Sequence, residues 1–116
     1  MTLTEFLLAR IAEDEAAAAA AVSRRDGIDS WEAVGSGTVV GPGYDKVKHV
    51  MLPSSEDGAA RHIARHDPAR VLAECEAKWR IVKEWGWSET LDGDGLMRIM
   101  ALPYADHPDY RQEWKP

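Results

Sequence analysis

The amino-acid sequence predicts an α+β fold in one domain, residues 1–116. The order expected is an N-terminal helix, a small antiparallel β-meander of two to three strands, a short helix, a long amphipathic helix, and a short C-terminal helix with an aromatic tail. Three observations predict it. Apolar residues recur at helical spacing in two long segments, 3–22 and 68–85. Between them, residues 30–53 change to short β-prone runs broken by glycine-rich turns. Finally, a chain of 116 residues buries about two thirds of its unfolded surface, enough for one modest core.

The first helix opens on Thr2 and Glu5, at capping-box spacing, where hydroxyl and carboxylate satisfy amides that have no helical partner. Leu7, Leu8, Ile11, Ala18 and Val22 form its apolar stripe. Ala16 to Ala21 are strong helix formers with little side chain, suited to close approach of a neighbour or to a solvated end. Arg24 and Arg25 suit the negative end of the helix dipole, and Gly27 suits the stop. Strands are expected at "WEAV" (Trp31 to Val34), "TVV" (Thr38 to Val40) and "VKHVML" (Val47 to Leu52), separated by "GSG" and "GPGYD". Neither face of the third run is cleanly polar. Helices are therefore expected to cover one side, as so small a sheet requires.

In the next segment, Ser54 with Asp57 is placed to cap the short helix. Asp67 is a natural N-cap for the long one, with Pro68 at the first helical position, where its missing N–H costs nothing. A residue before proline disfavours the α region, so the chain bends at Asp67. Val71, Leu72, Cys75, Trp79 and Val82 form the inner stripe, ending near Trp85 and Gly86. Arg70, Glu74, Glu76, Lys83 and Glu84 lie opposite. Asp94 is expected to cap a last helix of about two turns, with Leu96, Ile99 and Met100 inward and Pro103 at its end. Tyr110 and Trp114 are four apart, so one helical turn would align them. A tail this aromatic is expected to pack back on the domain.

Composition narrows the function. Apolar residues make up 45% of the chain, and its net charge is −6. Acidity argues against direct binding to a phosphate backbone, and leaves an acidic surface that mimics nucleic acid as a weaker alternative. A single cysteine, Cys75, excludes an internal disulfide or a cysteine zinc site and suits a reducing cytoplasm. The opening "MTLTEFLLARIAEDE" does not read as a signal peptide, and no run approaches a membrane span, so a cytoplasmic location is expected.

His62 and His66 share a helix face, the geometry by which two imidazoles hold one metal. They carry the alternative reading, a small metal-binding protein or metal-dependent hydrolase, with Asp67, His49 or Asp57 as third ligand. The zinc-protease pattern, however, needs a glutamate where Ile63 stands. The preferred reading is structural: His66 ends a short helix, where imidazole suits the dipole. Asp92 and Asp94 resemble the start of a calcium loop, but its twelfth position would be Pro103. Cys75 lies on an apolar stripe and reads as a small hydrophobe. The "GSGTVVGPG" run lacks the lysine of a phosphate-binding loop. No catalytic set converges and no cofactor is implied. Trp87, Tyr104, Tyr110 and Trp114 are of the types that complete small cores and anchor interfaces. The function expected is a non-enzymatic accessory or interaction module, with a protein partner or a second copy of the chain and no membrane.

The segments "EFLLARIAEDE", "HIARHDPARVLAECEAKWRIV" and "LMRIMALPYADHPDYRQEWKP" resemble a family of short uncharacterised proteins of actinobacteria and their phages. The closing segment is the most specific, and the likeness covers roughly half the chain. The resemblance implies a phage or prophage setting in the cytoplasm, without an activity. Members of that family often carry extra cysteines before the closing segment, suggestive of bound metal. Here "EWGWSETLDGDG" stands in that place.

Overall fold

The structure, a computed structural model, describes residues 1–22, 27–34, 37–41, 50–51, 57–87 and 91–116. It is α+β, with the order α1 (Leu3–Ala21), β1 (Glu32–Val34), β2 (Thr38–Val40), β3 (Val50–Met51), α2 (Asp57–Arg65), α3 (Pro68–Trp85) and α4 (Leu91–Ala101). Two 3₁₀ turns follow, Leu102–Tyr104 and Gln112–Trp114. The chain divides into two compact units, residues 1–15 with 74–116 and residues 16–73. Among the described residues, no helix is long and apolar enough to cross a membrane.

In the first unit, the expected capping box is present. The Thr2 amide donates to Glu5 Oε2 at 2.8 Å, and the Glu5 amide donates to Thr2 Oγ1 at 3.1 Å. The inward face of α1 carries Phe6, Leu7 and Ile11, with Thr4 and Arg10 buried beside them. Leu8, expected within the stripe, is half-buried. Cys75 and Val82 of α3, Met97 and Ala101 of α4, and Tyr110 and Trp114 of the tail are also buried.

Three expectations are corrected here. Trp79 is 45% exposed. It lies at the margin of the stripe set by Cys75 and Val82, and its indole turns outward beneath the Lys83 ammonium, 5.1 Å from the ring. Secondly, α4 starts at Leu91 and runs 11 residues, with Asp94 inside it. Asp94 does not cap; it pairs with Arg98 one turn on, at 2.7 Å. Arg98 also donates to the carbonyls of Glu113 and Lys115. Helical glycine costs about 1 kcal/mol relative to alanine. The pairing of Arg98 and the burial of Met97 and Ala101 offset this at Gly93 and Gly95. Buried positions recur at Gly93, Met97 and Ala101, which leaves Ile99 on the opposite side, 57% exposed. Thirdly, no α-helical turn aligns Tyr110 with Trp114. Residues 110 and 111 are irregular and a 3₁₀ turn follows, yet the two rings still meet edge to face at 5.8 Å.

In the second unit, β1 pairs antiparallel with β2 (Ala33 opposite Val39), and β2 with β3 (Val39 opposite Val50). This is the expected meander, in the order β1-β2-β3. Gly37 sits at φ +69°, a left-handed conformation open to glycine at little cost. The face bearing Val39 packs on Ala60 and Ala64 of α2, with Trp31, Ala33 and Ile63 around them. Of the alanine run, Ala18 is buried while Ala16, Ala17, Ala19, Ala20 and Ala21 are exposed, so most of the run is a solvated helix end. The expected roles of Arg24, Arg25, His49 and Ser54 lie outside the described residues, as does most of the expected third strand.

Asp67 does more than was expected of it. Its Oδ1 accepts the Arg70 amide at 3.0 Å, which is the N-cap of α3. Its Oδ2 accepts the Trp31 amide at 3.1 Å, and the Ala69 amide donates to the Asp29 carbonyl at 2.8 Å. One carboxylate thus joins the start of α3 to the start of the sheet. Asp67→Ala is expected to lower unfolding free energy by about 2 kcal/mol, the sum of a lost cap and an unmet amide. Asp67→Asn can keep the cap and should recover about half of that loss in urea denaturation.

Candidate functional site

Phe6 organises the interior of the first unit. Its ring meets Trp114 at 5.0 Å, His107 at 5.7 Å, Tyr110 at 5.9 Å and Tyr104 at 6.4 Å between centroids. The Arg10 guanidinium lies over the same ring at 5.1 Å. Arg10 is 6% exposed. It donates to Glu13 Oε1 and to His107 Nδ1, both at 2.8 Å. His107 Nδ1 also accepts the Asp109 amide at 3.1 Å. A nitrogen that accepts twice is unprotonated, which places the proton of the neutral ring on Nε2. Tyr104 donates to Asp14 Oδ2 at 2.7 Å. Burial, then the bond to Asp14 and its charge, hold the phenol above its ordinary range, so it remains a donor at neutral pH. Burial also pushes the Cys75 thiol up, with Asp14 adding to the effect. A protonated, buried thiol is a poor nucleophile.

These contacts sort the late aromatics. Tyr110 and Trp114 lie inside, Tyr104 is half-buried and hydrogen-bonded, and Trp87 is 62% exposed. Two further tryptophans stand in solvent, Trp79 and Trp85, with Ile81 between them. Single exposed apolar residues are ordinary, but three tryptophans exposed within nine positions are not. Trp85 and Ile81 share one flank of α3, while Trp79 lies on the other. A signal for Trp79 was present in the sequence. Its i+4 neighbour is Lys83, which marks a solvent margin more than a buried stripe.

His62 and His66 are exposed, with ring centroids 4.5 Å apart. His66 Nδ1 lies 2.9 Å from the His62 carbonyl oxygen, so it carries a proton and donates. The His66 amide donates to the same His62 carbonyl and to that of Ile63. The imidazole thereby closes the C-terminal end of α2. Among the described residues, no three His, Cys, Asp or Glu side chains come together as a metal site would require.

The whole chain, residues 1–116, matches the sequence model of a family of unknown function, DUF6221. The chain belongs to that family. The match spans the aromatic interior, the exposed tryptophans and the histidine pair alike. No curated protein and no solved structure matches the chain.

Proposed function

We propose that this DUF6221 member is a non-enzymatic interaction module of the bacterial cytoplasm, with a phage or prophage setting. It docks on a protein partner, or on a second copy of itself, through the exposed tryptophans of α3 and the residues after it. The observation that carries this reading is the exposure of Trp79, Trp85 and Trp87 in a chain with so few residues to spare. Burying an indole at an interface removes a large apolar area from water at a small cost in side-chain freedom. Of the aromatic anchors considered from the sequence, Trp87 keeps that role. Tyr104, Tyr110 and Trp114 support it by holding the closing segment against Phe6. The phage setting rests on the likeness of the three segments "EFLLARIAEDE", "HIARHDPARVLAECEAKWRIV" and "LMRIMALPYADHPDYRQEWKP".

The test compares the wild-type chain with Trp85→Ser, Trp87→Ser. Both positions are exposed, so the variant is expected to fold with stability within about 0.5 kcal/mol of wild type. Light scattering reads self-association, and affinity capture from host lysate with mass analysis reads a partner. Loss of one defined complex in the variant is the expected result. The same complexes with both proteins, or no complex with either, would overturn the reading.

A further inference from the structure

An open groove of about 720 Å³ runs between β1 and α2. Trp31, Glu32 and Ala33 line one wall, and Arg61, His62 and Arg65 line the other. Trp31, just before β1, and Ala33 pack on the side of the sheet that meets α2, and Glu32 lies between them, so the groove opens along the margin of that packed face. Among the described residues, β1 is the outermost strand and pairs with β2 alone. Among the described residues, the outer edge of β1 therefore carries backbone donors and acceptors that have no strand partner.

The facing wall is cationic. Arg61 and Arg65 stand one turn apart on α2, where like charges repel, and both are exposed. Among the described residues, neither guanidinium makes an ion pair, even with Glu32 across the groove. The chain holds 20 acidic residues and 14 basic ones, so two unmatched arginines side by side run against its own balance. Trp31, half-buried, adds a flat apolar surface beside them.

We propose that this groove takes an extended acidic segment of a partner protein, which adds to β1 as a further strand and pairs its carboxylates with Arg61 and Arg65. A peptide answers both walls at once, since it supplies amides and carbonyls to the strand edge and charge to the helix. A phosphodiester chain answers only the second wall. Because β1 spans three residues, the pairing is short, and much of the affinity comes from charge and is sensitive to salt. This proposal rests on residues other than the tryptophans of α3, and neither reading depends on the other.

Fluorescence anisotropy with the full chain tests it, using fluorescein-labelled deca-glutamate, the same peptide with alternate amides N-methylated, deca-lysine, and decathymidylate. Deca-glutamate is expected to bind at low salt. Arg61→Gln, Arg65→Gln should weaken it about tenfold, as should raising ionic strength from about 50 to about 300 mM. The N-methylated peptide should bind more weakly, because it cannot donate to the strand edge. The variant's exposed positions leave the fold intact, which circular dichroism verifies, and Arg61→Lys, Arg65→Lys should retain most of the binding. Three results would overturn the proposal: no binding of deca-glutamate, equal binding by the glutamine variant or the N-methylated peptide, or tighter binding of decathymidylate.

Discussion

Phe6→Ala is expected to lower unfolding free energy by about 3–5 kcal/mol, a large share of the 5–15 kcal/mol typical of a whole domain. Phe6 is fully buried, and four rings and a guanidinium pack on it. Removing the ring takes away its own transfer free energy and leaves a cavity that rigid neighbours cannot collapse to fill. It also removes edge-to-face contacts, each contributing about 0.5–1.5 kcal/mol beyond area alone. Phe6→Leu keeps most of the volume and should cost about 1.5 kcal/mol. Urea denaturation followed by near-ultraviolet circular dichroism reads both. An alanine variant with the wild-type midpoint would show that the aromatic cluster does not hold the first unit together.

Gly86→Ala, a single added methyl, is expected to destabilise by about 1–3 kcal/mol. The Gly86 amide closes the end of α3 on the Val82 carbonyl at 2.8 Å, and the Gly86 carbonyl accepts the hydroxyl of Thr4. A Cβ built there collides with the Val82 carbonyl oxygen and lies 3.0 and 3.1 Å from the Thr4 Cγ2 and Oγ1. The first obstacle is backbone and cannot turn aside, so α3 must shift against α1 or lose its last turn. Space, not a left-handed dihedral, demands glycine at this position. Thermal denaturation of Gly86→Ala beside Gly58→Ala separates the two ideas. Gly58 has open space at its Cβ, and its replacement should be neutral or slightly stabilising.

Local rules carried much of the fold. Thr2 with Glu5, and Asp67 with Pro68, were legible because caps are written in a few adjacent residues and need no tertiary knowledge. The meander was legible from its turns. What the sequence could not show was where long-range packing overrules local preference. Gly93 and Gly95 read as a loop because each weakens a helix, and only the burial of Met97 and Ala101 and the reach of Arg98 to the tail reverse that. Trp79 read as core because hydrophobic periodicity does not distinguish the middle of a stripe from its edge. The histidine pair could be weighed beforehand, since its spacing lacked the glutamate of a zinc protease. The groove beside it could not, because Trp31 and Arg61 are thirty positions apart and only the folded sheet joins them.

The interior around Phe6 joins the two ends of the sequence: Arg10 meets His107 across 97 positions. A ribosome making this chain exposes Phe6 early and releases Trp114 late, on the order of ten seconds afterwards at ordinary translation speed. Throughout that interval the nascent first helix has an uncovered aromatic side chain. A premature stop before Tyr110 would make the exposure permanent and present a chaperone or a protease with a durable target.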